Sequence, residues 1–170
     1  TVCLFVNEGT EVVADLNGLK SHLDGLISAQ AVTWGVTKQE AVAVCTQGDA
    51  EALQAGAIAR TRENFQFLAA PGVMMLDHDG LPDGELSPNQ FRDRLIAAAP
   101  ALADAPMLWR PSASAGCVGP DGSVLSGLTR HRLYIPVADA SLIPEAGKAL
   151  EAFLWATPGG GWCDVGAAGQ

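Results

Sequence analysis

The residues Val73-Met74-Met75-Leu76-Asp77-His78-Asp79-Gly80 set the tightest limit on what this chain can fold into. Four consecutive apolar residues followed by two carboxylates spaced i, i+2 read as a buried strand that runs out into a polar end. Side chains two apart on a strand share a face, so Asp77 and Asp79 are expected to project together. Carboxylates held side by side repel unless a proton or a cation lies between them. Hard divalent cations prefer oxygen ligands, so the pattern points to Mg²⁺ or Mn²⁺ and to phosphate chemistry. The competing reading is a strand ending in a solvated Asp-His-Asp-Gly turn.

A chain of 170 residues with 48% hydrophobic content can bury one domain core, or the core of two small lobes. No window approaches the roughly 20 uninterrupted apolar residues of a membrane span. The apolar run Val2 to Val6 is short and has no basic residues before it, so the expectation is a cytoplasmic protein with no membrane partner. Cys3, Cys45, Cys117 and Cys163 are widely spaced and form no C-x-x-C pair. They indicate neither a zinc site nor a disulfide framework, and are read as core-filling thiols.

Ten basic residues against nineteen acidic ones give a net charge of −9, which argues against nucleic-acid binding through bulk positive potential. The arginines are nevertheless clustered. Arg60 and Arg62 precede the acidic motif, Arg92 and Arg94 follow it, and Arg110, Arg130 and Arg132 gather further on. Arginine suits bidentate phosphate contacts, although solvated arginines on loop edges are the commoner case.

Hydrophobic periodicity predicts an α+β architecture with mixed sheets. Val2 to Val6 and Ala41 to Cys45 read as strands, with a helix between them carrying Leu16, Leu19, Leu23, Leu26 and Ile27. Gly48-Asp49 starts a helix through about Ala59 with Leu53 and Ala57 inward, and the Met74 strand follows after Arg60 to Pro71. Ser87-Pro88-Asn89-Gln90 is a capping box with proline at the first helical position, opening a helix that carries Phe91, Leu95 and Ile96. Beyond it come Met107 to Arg110, a Gly119-Pro120-Asp121-Gly122 turn, a strand from Arg132 to Val137, a helix from Pro144 to Ala156 and a last strand from Trp162 to Val165.

Three further elements bear on the acidic pair. Ser112-Ala113-Ser114-Ala115-Gly116 can present hydroxyl and backbone donors to phosphate oxygens. His131 opens a strand and shares a face with Leu133, Ile135 and Val137, which more often marks a satisfied core histidine than a ligand. Asp164 lies inside a short apolar strand and needs a partner, which a metal would supply.

In order, these are h-h-h-D-h-D, then a small-residue segment and a histidine at the head of a strand, then a hydrophobic-Asp pair after the next helix. The set resembles the archaeo-eukaryotic primase superfamily over roughly Arg60 to Asp164. Pro111 to Gly116, a turn, and Gly127 to Val137 look like the bipartite second motif of primase domains in phage and plasmid replication proteins. The resemblance implies a DNA primase or primase-polymerase, transferring nucleotides on a template by a two-metal mechanism with Mg²⁺ or Mn²⁺. It makes Asp77, Asp79 and Asp164 metal ligands and His131 a nucleotide phosphate contact, with Ser112, Ser114, Arg130 and Arg132 as helpers. It implies a small α/β unit beside an RRM-like sheet with the active site in the cleft between them. The partners it implies are nucleoside triphosphates, a single-stranded DNA template and a replicative helicase or accessory domain. On this reading residues 1–170 are one catalytic domain, or a fragment of a longer replication protein in which the third carboxylate lies beyond Gln170.

Two rivals start from the same residues. Asp77-His78-Asp79-Gly80 resembles the opening motif of haloacid-dehalogenase-type phosphatases, with Asp77 as nucleophile and Asp79 as general acid. That scheme needs a later lysine and a further acidic pair on a strand, whereas Lys148 falls on a helix and no Asp-Asp follows. The non-catalytic rival is a nucleotide-binding replication module whose acidic pair is solvated.

Overall fold

The computed structural model describes residues 3–6, 15–26, 35–37, 41–79, 86–112, 115–128 and 130–160. The chain is α+β and divides into two compact units, Thr1–Pro71 with Ala138–Leu142, and Gly72–Val137 with Ile143–Gln170.

In the first unit β1 (Cys3–Val6) pairs antiparallel with β3 (Ala41–Cys45), and β3 pairs parallel with β4 (Ile58–Ala59). Helix α1 (Leu16–Gly25) starts where the Asp15 side chain accepts the Gly18 N–H at 2.8 Å, as N-cap chemistry requires, and buries Leu19. Helix α2 (Ala50–Gln54) starts in the same way at Asp49 but is shorter than expected. Gly56 adopts φ +92°, Ala57 N–H donates to Ala52 O, and Gly56 N–H donates to Leu53 O. That is a Schellman stop, and it ends the helix at Gln54 so that Ile58 and Ala59 form β4. With the helix cut short, Ala52 joins Cys45 and Ala57 in a small core, and Leu53 is exposed rather than inward. A second pairing was not anticipated: β2 (Val36–Thr37) lies antiparallel to β5 (Phe65–Gln66). Gly35 makes the approach possible, because a Cβ there would meet Gln66 O at 3.0 Å.

The second unit is built on one antiparallel sheet in the order β6 (Gly72–His78), β8 (His131–Val137), β7 (Leu108–Pro111). Helix α3 (Pro88–Ala98) has the expected capping box: Ser87 N–H donates to Gln90 Oε1 at 2.8 Å, and Gln90 N–H donates to Ser87 Oγ at 3.3 Å. Helix α4 (Ile143–Ala156) matches its predicted range to within a residue. Met74, Leu133 and Ile135 from the sheet close a core with Phe91 and Leu95 of α3 and Leu150 of α4. The turn at Gly119–Gly122 also forms, with Gly122 N–H donating to Gly119 O. Cys45 is core filler as expected, whereas Cys117 is exposed because its segment runs out to that turn. The predicted strand Trp162 to Val165 lies outside the described residues.

Candidate functional site

Strand parity arranges the motif residues. Along β6 the side chains of Met74, Leu76 and His78 turn to the helix-covered face, and exposed Asp77, buried His78 and exposed Asp79 continue that alternation. Asp77 and Asp79 therefore open to the same side. The register places Asp77 opposite Arg132, and Arg132 opposite Arg110, so an acid and two arginines form one row across β6, β8 and β7. Arg132 Nε donates to Asp77 Oδ2 at 3.3 Å, and each side chain is about one-third exposed (33% and 31%). Asp79 makes no ion pair among the described residues. One step further on, Ser112 N–H donates to Arg130 O at 3.0 Å, extending the ladder past both strand ends, and Ser112 is buried.

Sheet topology therefore brings together the ends of three segments that are distant in sequence: Asp77 with Asp79, Arg110 with Ser112, and Arg130 with Arg132. Arg92 and Arg94 are not part of this group. Arg92 lies 3.6 Å from Asp93, and Arg94 Nη1 donates to Gly159 O at 2.9 Å. Ser114 and Asp164 lie outside the described residues.

His131 requires a correction. It was expected to reach a nucleotide phosphate beside the acidic pair, but it is 1% exposed and turns to the opposite face with Leu133 and Ile135. Its Nε2 lies 2.6 Å from Leu86 O. A carbonyl can only accept, so Nε2 carries the proton of this bond. Directly across the ladder sits His78, whose ring stacks on Phe91 at 5.0 Å and faces His131 at 6.1 Å, while Trp109 flanks His131 at 5.6 Å. Sequence reading passed over His78 and Trp109; their parity with Leu76 and Met107 was the available signal.

Burial pushes the His78 imidazole below its ordinary value, the neighbouring His131 and Arg94 push it the same way, and Asp79 and Asp77 partly offset them. The folded chain therefore holds His78 neutral where the unfolded chain would take up a proton. Stability from this residue is full above about pH 6.5 and declines as pH falls toward the lowered folded value. Melting temperature followed from pH 8 to pH 5 should drop, and His78→Phe should flatten the decline. An unchanged slope in that variant would assign the drop to other groups.

The acidic pair fits a divalent cation in donor type and in shared exposure. Among the described residues no cluster of three or more His, Cys, Asp or Glu side chains completes a cage. Arg132 competes for Asp77, but because the pair is partly exposed it contributes no more than about 1 kcal/mol. Removing it with Arg132→Met should leave the melting temperature nearly unchanged and strengthen Mn²⁺ binding in a calorimetric titration. A weaker Mn²⁺ affinity in that variant would contradict a cation site at Asp77. No family model, no curated protein and no solved structure matches the chain.

Proposed function

We propose that this chain performs template-directed nucleotidyl transfer as a primase or primase-polymerase domain of a mobile-element replication protein. The observation that carries the reading is the convergence of the Asp77/Asp79, Arg110/Ser112 and Arg130/Arg132 segments at one end of one sheet. Chemistry on a nucleoside triphosphate needs a carboxylate pair and phosphate-binding cations in one place, and residues 79–130 separate the outermost of these strands in sequence. The RRM-like arrangement of the sheet and a cleft for the template belong to the same proposal.

Asp77 and Asp79 are the residues that would hold Mg²⁺ or Mn²⁺, with Asp164 as the third carboxylate the resemblance supplies. When bound, such an ion offsets charge on the transferring phosphoryl group. A triphosphate offers Arg132 phosphate oxygens in exchange for the Asp77 carboxylate, and a guanidinium is suited to that exchange because its fork matches both partners. His131 takes a positioning role. Its bond to Leu86 O and its packing beside Trp109 fix the strand end from which Arg130 and Arg132 project.

The test supplies primed and unprimed single-stranded DNA, Mg²⁺ or Mn²⁺, and ribo- or deoxynucleoside triphosphates. Short products or extended primers are expected. No incorporation under any combination, with cation binding intact, would favour a non-catalytic nucleotide-binding module instead.

A further inference from the structure

Between the sheet of the second unit and its helices lies a cavity of about 340 Å³, within the size range of small-molecule sites, with Asp77 at its edge. The end of β6, α3 and α4 bound it. Helix α4 contributes Gly147, Leu150, Glu151 and Leu154, whose spacing puts them on one stripe, and α3 contributes Phe91, Arg94 and Leu95. The lining is mostly leucine and aromatic carbon, and beside Asp77, which is already paired with Arg132, it carries two charges of opposite sign, Arg94 and Glu151. These two make no ion pair with each other among the described residues. His78, nine-tenths buried, also lines the cavity, and its Nε2 has no hydrogen-bond partner among the described residues. A buried polar nitrogen without a partner is costly, and a ligand atom would supply one.

We propose that this cavity binds a free α-amino acid with a large apolar side chain. A simple carboxylate would satisfy Arg94 and be repelled by Glu151, and a simple amine would meet the reverse problem. A zwitterion answers both charges, and its side chain covers the leucines. The Arg94 guanidinium is already held by its 2.9 Å bond to Gly159 O, which leaves its other N–H groups for a carboxylate. Gly147 supplies room, since a Cβ there would meet nothing within 4 Å. This proposal does not rest on nucleotidyl transfer.

The experiment is a calorimetric titration of the full chain with L-phenylalanine, with 3-phenylpropionate and with 2-phenylethylamine, repeated on Gly147→Leu, Arg94→Met and Glu151→Gln. L-Phenylalanine should bind saturably, and each half-ligand at least tenfold more weakly. Gly147→Leu should abolish binding while the melting temperature holds or rises, because leucine favours a helix over glycine. Arg94→Met and Glu151→Gln should each weaken binding at least tenfold, and Glu151, being exposed, can be changed without threatening the fold. No saturable heat with L-phenylalanine, equal binding of a half-ligand, or undiminished binding to a folded Gly147→Leu would overturn the proposal.

Discussion

Asp79→Ala is expected to lower nucleotide incorporation by at least about a hundredfold, the scale on which loss of one preorganised charge-stabilising group acts. The melting temperature should scarcely move. Asp79 is exposed and makes no ion pair among the described residues, and surface substitutions of that kind usually stay within about 0.5 kcal/mol. Asp77→Ala should cost as much activity and slightly more stability, since it also strips Arg132 of its partner. Primer extension at saturating nucleotide, run beside a thermal melt of the same preparations, separates the two effects. If folded Asp79→Ala extends primers at the parent rate, these carboxylates do not carry the chemistry and the primase reading loses its centre.

His131→Ala should behave in the opposite way, with stability failing first. The ring is 1% exposed, so its removal leaves a cavity beside Trp109 and His78 and deprives the Leu86 carbonyl of its donor. Together the cavity and the lost buried hydrogen bond should cost about 3 kcal/mol. Chemical denaturation measures this directly. His131→Gln, which keeps an N–H donor, should recover part of the loss, and activity across the two variants should follow the folded fraction. A variant that stays fully folded yet loses incorporation would return His131 to the role of a phosphate contact.

How much was legible depends on whether the signal was local. The Ser87/Gln90 capping box is a reciprocal bond within four residues, and it fixed the start of α3 without help from the rest of the chain. Ala41 to Cys45 was likewise legible from its β-branched and small apolar residues. The α2 boundary was missed because the expected helix ran on to about Ala59, past the left-handed stop at Gly56. At the candidate site, the shared exposure of Asp77 and Asp79 followed from period two alone. The Asp77–Arg132 partnership depends on register between strands more than fifty residues apart, which no local pattern encodes. The face that His131 takes was visible in its parity with Leu133 and Ile135, and the family resemblance outweighed that evidence. His78 was hidden by its position between two carboxylates that drew attention to the other face.

The strand order β6-β8-β7 has a consequence for how the chain matures. The central strand of the sheet is the last of the three in sequence, and β6 and β7 touch β8 rather than each other. As the chain leaves the ribosome, Val73 to Leu76 must wait as an apolar, unpaired edge until residue 131 and its successors have been made. Pairings of such long sequence separation form slowly, and exposed apolar edges invite association with other chains in the interval. Solubility during synthesis should therefore hinge on how fast the ribosome delivers β8, and a pause before residue 131 is where this molecule is most exposed to misassembly.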